Sequence, residues 1–110
     1  MKYTILQLND SPEAETLMFM NYAWAEKHGG VLRSNYDKVY EGTIQARYTS
    51  DALDLIYMEF NLARPEDFKG HSLSVSDVII LEKDGRRMAF FCDSVGWKML
   101  GAEFIEEERA

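Results

Sequence analysis

The chain contains few residues of several types, and each shortage excludes a class of protein. Among its 110 residues there is one cysteine, Cys92, so no internal disulfide can form and a reducing compartment is indicated. Apolar runs such as 78–81 and 88–91 are four residues long, whereas a helix needs about 20 apolar residues to cross a bilayer. The first ten residues contain neither the apolar stretch nor the cleavage site of a signal peptide. We therefore expect a cytoplasmic protein that does not enter the membrane.

Lysine and arginine are also scarce. The chain has 12 of them against 19 aspartates and glutamates, which gives a net charge of −7. A negative protein repels nucleic-acid phosphates and anionic lipid headgroups at long range. We therefore expect neither as a partner. A nucleic-acid-binding barrel is a third interpretation only, since it requires the basic residues to form a stripe on one face.

Metal-binding and phosphate-binding motifs are absent from the sequence. His28 and His71 are the only histidines, and neither belongs to a metal-binding spacing. Cys92 alone cannot complete a four-ligand zinc site. Gly29-Gly30 lacks the lysine and hydroxyl residues of a phosphate-binding loop. We expect no metal and no cofactor.

The residues that are present provide enough apolar material for one core. Hydrophobic residues make up 46% of the chain and charged residues 28%, which is typical of a globular domain and not of a disordered chain. A chain of this length accommodates a single domain.

The first half of the chain alternates strand and helix patterns. Residues 3–8 alternate as in a strand, and Ser11-Pro12 predicts the start of a helix that ends at Gly29-Gly30. Residues 36–46 predict a second strand, in which Gly42 marks a bulge.

The second half begins with the clearest helix pattern. Thr49-Ser50-Asp51 is a capping sequence, apolar residues follow at helical spacing, and Arg64-Pro65 ends the helix. Asp84-Gly85 is a two-residue hairpin signal between two apolar runs, and Trp97 and Met99 predict a short further strand. The order of these patterns predicts an α+β fold, with an antiparallel sheet or partly closed barrel of about five strands and two helices.

The stretch GHSLSVSDVIIL, residues 70–81, carries a histidine, three serines at alternate positions and an aspartate. Its first part alternates as in a half-buried extended segment, with Leu73 and Val75 on the side opposite the serines. Serine and aspartate then favour a turn, and residues 78–81 are apolar on both faces, as in a central strand. We interpret the stretch as a turn that enters a buried strand.

The same stretch allows a second interpretation, a hydrolytic or small-ligand-binding domain. Such a site would use His71 with Asp77, Asp93 and the nearby serines, or Cys92 as nucleophile. However, no nucleophile turn of the Gly-x-Ser-x-Gly kind occurs. Cys92 lies in an apolar run, where a free thiol is usually a core residue. We therefore expect no enzymatic activity and keep this domain as the alternative.

Two connections contain residue types that are common in recognition loops. Residues 64–70, RPEDFKG, form a charged connection that is longer than a tight link requires. Residues 93–97, DSVGW, place a tryptophan beside a glycine turn, and tryptophan is enriched among interface anchors. Packing of Trp97 on the core is the more common use of such a side chain.

These motifs together resemble one known family. RPEDFKGHSLSVSDVIIL at 64–81 and FFCDSVGW at 90–97 are similar to the YodL-like domain, a small domain of Firmicutes and mobile genetic elements. FMNYAWAEKHGG and DALDLIYMEFN fit the same pattern. We place the domain at residues 1–105 and an acidic C-terminal tail at 106–110.

The resemblance implies a bacterial protein, free-standing or part of a larger one, encoded on a conjugative or phage-like element and without established enzymatic activity. We therefore expect a non-enzymatic accessory module that binds a protein partner through residues 64–72 and 93–97. The candidate interaction residues are Arg64, Phe68, His71, Ser72, Ser74, Ser76, Asp77, Asp93, Ser94 and Trp97.

Overall fold

Five strands form one antiparallel sheet in the computed structural model, which describes residues 1–109. The strands are β1 (Lys2–Leu8), β2 (Tyr36–Thr43), β3 (Val78–Lys83), β4 (Arg86–Cys92) and β5 (Trp97–Met99). Their order across the sheet is β2-β1-β3-β4-β5, and β2 and β5 do not pair with each other. The α+β class is confirmed, and the sheet is open, so it is not the partly closed barrel that the sequence also allowed.

The hairpin between β3 and β4 was predicted correctly. Lys83 pairs with Arg86, and the two residues between them have positive φ angles, 52° at Asp84 and 79° at Gly85. Two such residues make the mirror-image turn whose twist matches the flanking strands. The short third strand of this meander is β5, as expected.

The bulge predicted at Gly42 lies elsewhere. Ile5 pairs with Tyr40 but Leu6 pairs with Lys38, so the extra residue of β2 is Val39. Gly42 has a different role, because it stands opposite Tyr3 and a Cβ atom there would lie 2.6 Å from the Tyr3 hydroxyl oxygen and 2.8 Å from its Cζ. The Tyr3 ring therefore lies across the backbone of Gly42.

Helices cover both faces of the sheet. The described residues form four α-helices: α1 (Pro12–Glu15), α2 (Tyr22–Lys27), α3 (Thr49–Leu62) and α4 (Ala102–Arg109). A short 3₁₀ helix, Arg33–Asn35, precedes β2. None of the helices within residues 1–109 combines the length and apolar character needed to cross a membrane.

Alternation along the strands divides the core into two clusters. One face of the sheet packs against α1, α2 and α4 through Leu6, Val78 and Ile80. The other face packs against α3 through Ile5 and Ile79. Because β1, β3 and β4 contribute side chains to both clusters, the central strands are apolar on both faces, as the run at 78–81 predicted.

The single helix expected between residues 12 and 29 is two short helices. Phe19 has φ of 65°, which interrupts the helical backbone. Asn21 then begins α2 by accepting a hydrogen bond from the Trp24 amide at 2.9 Å. The dense apolar pattern of this region arises because Leu17 is buried in the core while Phe19 is exposed.

Helix α4 was not predicted from the sequence, where we expected a solvated acidic tail. It is held by the buried Phe104 and by Glu108, which forms ion pairs with Arg33 and, at 3.9 Å, with Arg87. Because these contacts join distant parts of the chain, no local sequence pattern predicts the helix. It runs through the predicted boundary at 105, and Ala110 lies outside the described residues.

We expect Gly42→Ala to destabilise the protein by about 1–3 kcal/mol, because the added methyl group meets the Tyr3 ring and overpacks the site. The measurement is urea unfolding of the single variant and of the same substitution in a Tyr3→Leu background, which lacks the ring. The cost should be smaller in that background. An equal cost in both would contradict the steric explanation.

Candidate functional site

One end of the sheet brings together the segments that carry the sequence motifs. The carboxyl ends of β1 and β4 lie there beside the amino ends of β2, β3 and β5, because all neighbouring strands are antiparallel. The connections 70–77 and 93–96 therefore meet at this end. The first of them also contacts the 16–21 connection between α1 and α2, and the second contacts the start of α2.

Residues 74–77 form the turn predicted before β3. The Asp77 amide donates to the Ser74 carbonyl at 3.0 Å, and Ser76 has φ of 85°. The predicted alternation is wrong at the end of the extended segment, since Ser76 is buried whereas Val75 is half-buried. The turn causes this difference, because its backbone is not extended and its side chains no longer alternate between two faces.

Gln7 on β1 holds the 70–77 connection against the sheet. Its Nε2 donates to the His71 carbonyl at 2.9 Å and to Asp77 Oδ2 at 3.1 Å, and its Oε1 accepts from the His71 amide at 3.2 Å. A Cβ atom on Gly70 would overlap Oε1 of Gln7. The glycine of the motif therefore allows the buried glutamine to approach the backbone.

The His71 ring is fixed at one nitrogen and open at the other. Nδ1 lies 2.7 Å from the Ser72 carbonyl, so it carries a proton and donates it there. The nearby Gln7 Nε2 is also a donor, so its 3.2 Å contact with Nδ1 is not a hydrogen bond. Nε2 of the ring lies 3.8 Å from Asp77 Oδ1, and the Phe19 ring packs edge-on against the imidazole at 5.6 Å.

Asp77 is a fully buried carboxyl group. Burial raises its pKa from 3.8 to about 7, against the lowering effects of the Ser74 amide, His71 and Gln7. The Ser74 amide donates to Oδ2 at 2.9 Å, so this oxygen accepts two hydrogen bonds. The carboxyl group thus joins β1, the turn and the start of β3.

Ser76 and Asp93 attach the 16–21 connection and the start of α2 to this end of the sheet. Ser76 Oγ accepts from the Phe19 amide at 3.0 Å, and Asp93 Oδ1 accepts from the Tyr22 amide at 3.1 Å. The Ser76 carbonyl accepts from the Tyr36 hydroxyl at 2.6 Å. Burial, and secondarily the charge of Asp77, raises the pKa of Tyr36, so this hydroxyl stays a donor.

Hydrogen bonds of Asp93 also restrain the 93–96 turn. The Asp93 amide donates to the Gly96 carbonyl at 3.0 Å, and Asp93 Oδ1 also accepts from the Ser94 amide at 2.8 Å. Val95 is 90% exposed at the tip. Trp97 follows and packs edge-on against Tyr57 of α3 at 6.3 Å.

Three other candidate residues lie outside the buried network. The Phe68 ring centre lies 4.8 Å from that of Phe60 and 5.9 Å from that of Tyr40, so Phe68 anchors the 64–70 connection to the α3 face. Arg64 is exposed. Ser72 joins the neighbourhood of His71 through its backbone carbonyl, which also accepts from Ser74 Oγ at 2.9 Å.

The chemistry available at this site is limited. Burial raises the pKa of Cys92 to about 12, so its reactive thiolate is disfavoured. The hydroxyl of Ser74 donates to a carbonyl, and that of Ser76 accepts from an amide. Among residues 1–109, no three histidine, cysteine or acidic side chains converge as a metal site would require. The His71–Asp77 contact is the remaining feature with catalytic character.

Sequence reasoning missed Gln7, Phe19 and Tyr36, which complete the network. Strand alternation places Gln7 on the same side of β1 as Tyr3 and Ile5, and a glutamine on the buried side of a strand is a signal for a polar contact in the core. Phe19 contributes a backbone amide, which no residue type reveals. Tyr36 stands 40 residues from Ser76, so no local pattern links them.

The fold and this site define a class: a small α+β domain whose open antiparallel sheet is covered by helices on both faces, with a polar network at one end. A family model, the YodL-like domain, matches residues 2–104. The chain therefore belongs to the YodL-like domain family, as the motifs indicated. No curated protein and no solved structure is significantly similar to it.

We expect Gln7→Leu to destabilise the protein by about 2–4 kcal/mol, because it removes one of the two hydrogen bonds to Asp77 and leaves both backbone groups of His71 without their partner. Gln45→Leu, at an exposed position, is the matched control and should change stability by about 0.5 kcal/mol or less. Chemical denaturation of both variants measures the difference. Equal effects would show that the glutamine network does not stabilise the fold.

We expect stability to fall as pH rises from about 4 to 7, because folded Asp77 keeps a proton that the unfolded chain has lost. Asp77→Asn cannot titrate, so its stability relative to the natural protein should increase over this range by up to a few kcal/mol, at about 1.4 kcal/mol per pKa unit. Thermal unfolding between pH 4 and 8 measures this. The trend should persist with His71→Gln in both proteins; its disappearance would assign the titration to the histidine.

Proposed function

We propose that this YodL-like domain is a non-enzymatic accessory protein of a mobile genetic element, which acts in the cytoplasm by binding a protein partner. The observation that supports this most is the exposed apolar surface beside the polar network. Val95 is 90% exposed and Met99 56% exposed, two residues before and two residues after Trp97 in the chain. Exposed apolar side chains that lie together often form protein-binding surfaces.

The rigidity of the 93–96 turn supports the same role. Asp93 bonds to the turn itself and to the start of α2, so the backbone that carries Val95 is restrained before a partner binds. A surface that is already ordered loses little conformational entropy on binding. The buried hydrogen bonds around Asp77 restrain the 70–77 connection in the same way.

The charged connection 64–70 is the second part of the proposed surface. Its exposed side chains are Arg64, Glu66, Asp67 and Lys69, whereas Phe68 packs inward. Phe68 packs against Tyr40 of β2, so this connection lies toward the β2 edge and would contact the partner separately from Val95 and Met99 on the β5 side.

The alternative is a hydrolytic or small-ligand-binding domain centred on His71 with Asp77 and Asp93. The 3.8 Å distance from His71 Nε2 to Asp77 Oδ1 favours it. Against it, Asp93 is bonded to Tyr22 and Ser94, and the cleft of about 270 Å³ beside Trp97 is lined by Asp93 but not by His71. Hydrolysis of a panel of ester and phosphoester substrates, lost in His71→Gln, would favour this alternative.

Pull-down from a lysate of the cells that encode the protein tests the interaction role. We expect Val95→Glu to reduce the amount of the specifically captured protein at least about tenfold, since a charge would enter the apolar contact. Met58→Glu is the matched control, because Met58 is also exposed, at 55%, but lies on α3. Mass spectrometry quantifies the captured protein.

The proposed role would be wrong if the natural protein enriched no protein over the bare matrix, or if both glutamate variants captured the same amount as the natural protein. Circular dichroism and thermal unfolding of each variant verify that the fold is intact. Both positions are exposed, so neither substitution should shift stability by more than about 0.5 kcal/mol.

A further inference from the structure

Strand β5 has a free backbone edge, because it is the last strand of the sheet. Hydrogen bonds from the Leu100 amide to Ala89 and from the Asp93 amide to Gly96 define the ladder with β4. In an antiparallel ladder, alternate residues direct their backbone groups toward the partner strand. Lys98 therefore bonds to β4, whereas Trp97 and Met99 direct their N–H and C=O groups outward.

These four outward groups have no other hydrogen-bond partner among the residues that the structure describes. Two open clefts adjoin them on the α3 side, of about 270 and 300 Å³. Trp97 and Asp54 line both clefts, so the two lie next to each other between β5 and α3, and together they are called the groove.

We propose that β5 binds an extended segment of the protein partner, which adds to the sheet as a sixth strand and places its side chains in this groove. The proposal rests on the proposed function and specifies its binding mode. Main-chain hydrogen bonds to Trp97 and Met99 supply affinity, and the groove supplies selectivity, as in other cases of strand addition.

Charge determines the chemistry of the segment. The carboxylate of Asp54 makes no hydrogen bond or ion pair with the described part of the chain, and Asp93 also lines the first cleft. The cleft near Met99 is more apolar, with Leu53 and Phe90 in its walls. In an antiparallel segment, the residue opposite Met99 is apolar and the residue opposite Trp97, two positions later, is lysine or arginine.

A second copy of the chain is a less suitable occupant. Two β5 strands that pair all four outward groups, with Trp97 opposite Met99, would place Lys98 directly opposite the Lys98 of the second copy, and opposed like charges destabilise a strand pair. Each copy also has a net charge of −7. These repulsions favour a basic segment of another protein.

The other edge of the sheet is less suited to strand addition. On β2 the bulge at Val39 interrupts the ladder, and Lys38 and Glu41 form an ion pair on one face. Bulges are a common protection against edge pairing, whereas β5 pairs with β4 without a register shift. The selected edge is therefore β5.

Synthetic peptides test the proposal directly. The probe is acetyl-Thr-Val-Thr-Arg-Thr-amide, in which valine would lie opposite Met99 and arginine opposite Trp97. One control replaces arginine with glutamate, and a second carries an N-methyl group on valine, which removes the donor to the Met99 carbonyl. We expect both controls to bind at least about tenfold more weakly, a difference of about 1.4 kcal/mol. Titrations followed by ¹⁵N NMR should shift the Trp97 and Met99 amides.

Protein variants test the two contributions separately. Met99→Pro removes one outward N–H and leaves the bonds of Lys98 and Leu100 to β4, since proline is tolerated at a sheet edge. It should abolish binding of the arginine peptide, whereas Met99→Ala should weaken binding only in part. Asp54→Asn should weaken the arginine peptide several-fold, and the control Asp51→Asn, on the same helix but outside both clefts, should not.

Equal binding of the arginine and N-methyl peptides to the natural protein would overturn the proposal even if Met99→Pro fails to fold. Self-association that is lost in Met99→Pro would overturn the choice of occupant. If the partner is captured through Val95 but Met99→Pro retains it, the interaction role stands and strand addition is wrong. If nothing is captured and the peptide still shifts Trp97 and Met99, strand addition stands and the proposed role is wrong.

Discussion

The arrangement of the motif end depends on one buried acid–amide contact. Gln7, near the carboxyl end of β1, donates to the carboxyl group of Asp77 and bonds to both backbone groups of His71. A carboxyl group without partners in this environment would be costly, and its raised pKa reflects how far it is removed from water. The contact therefore constrains the turn, the strand that follows it and the loop that precedes it.

Further hydrogen bonds connect this contact to segments at the surface. Ser76 binds the backbone of the connection between α1 and α2, and Asp93 binds the first residue of α2, so Phe19 packs against His71. The polar residues of the motifs thus serve mainly as backbone partners, as serine and aspartate do in turns. The recognition surface that we propose therefore uses side chains outside the network, above all the exposed Val95 and Met99 and the half-buried Trp97 between them.

Local patterns predicted the hairpin, α3 and the strand order within the meander, because turn chemistry and periodicity act over a few residues. They failed where contacts join distant segments. Helix α4 depends on Glu108 meeting Arg33 and Arg87, and the first predicted helix is divided by the positive φ of Phe19. The candidate site was predicted in part: His71, Ser74, Ser76 and Asp77 do lie together, but their central partner, Gln7, was not among the predicted site residues.

The sequence by itself determined the family, the α+β class and the turn that enters a buried strand, because these follow from short motifs and hydrophobic alternation. Only the tertiary structure decided what the motif residues bind to. Gln7 and Asp77 are 70 residues apart, and their contact exists because β1 and β3 pair side by side in the sheet. The free edge of β5 was likewise decided by the order of the strands, which is a property of the whole fold and not of any segment.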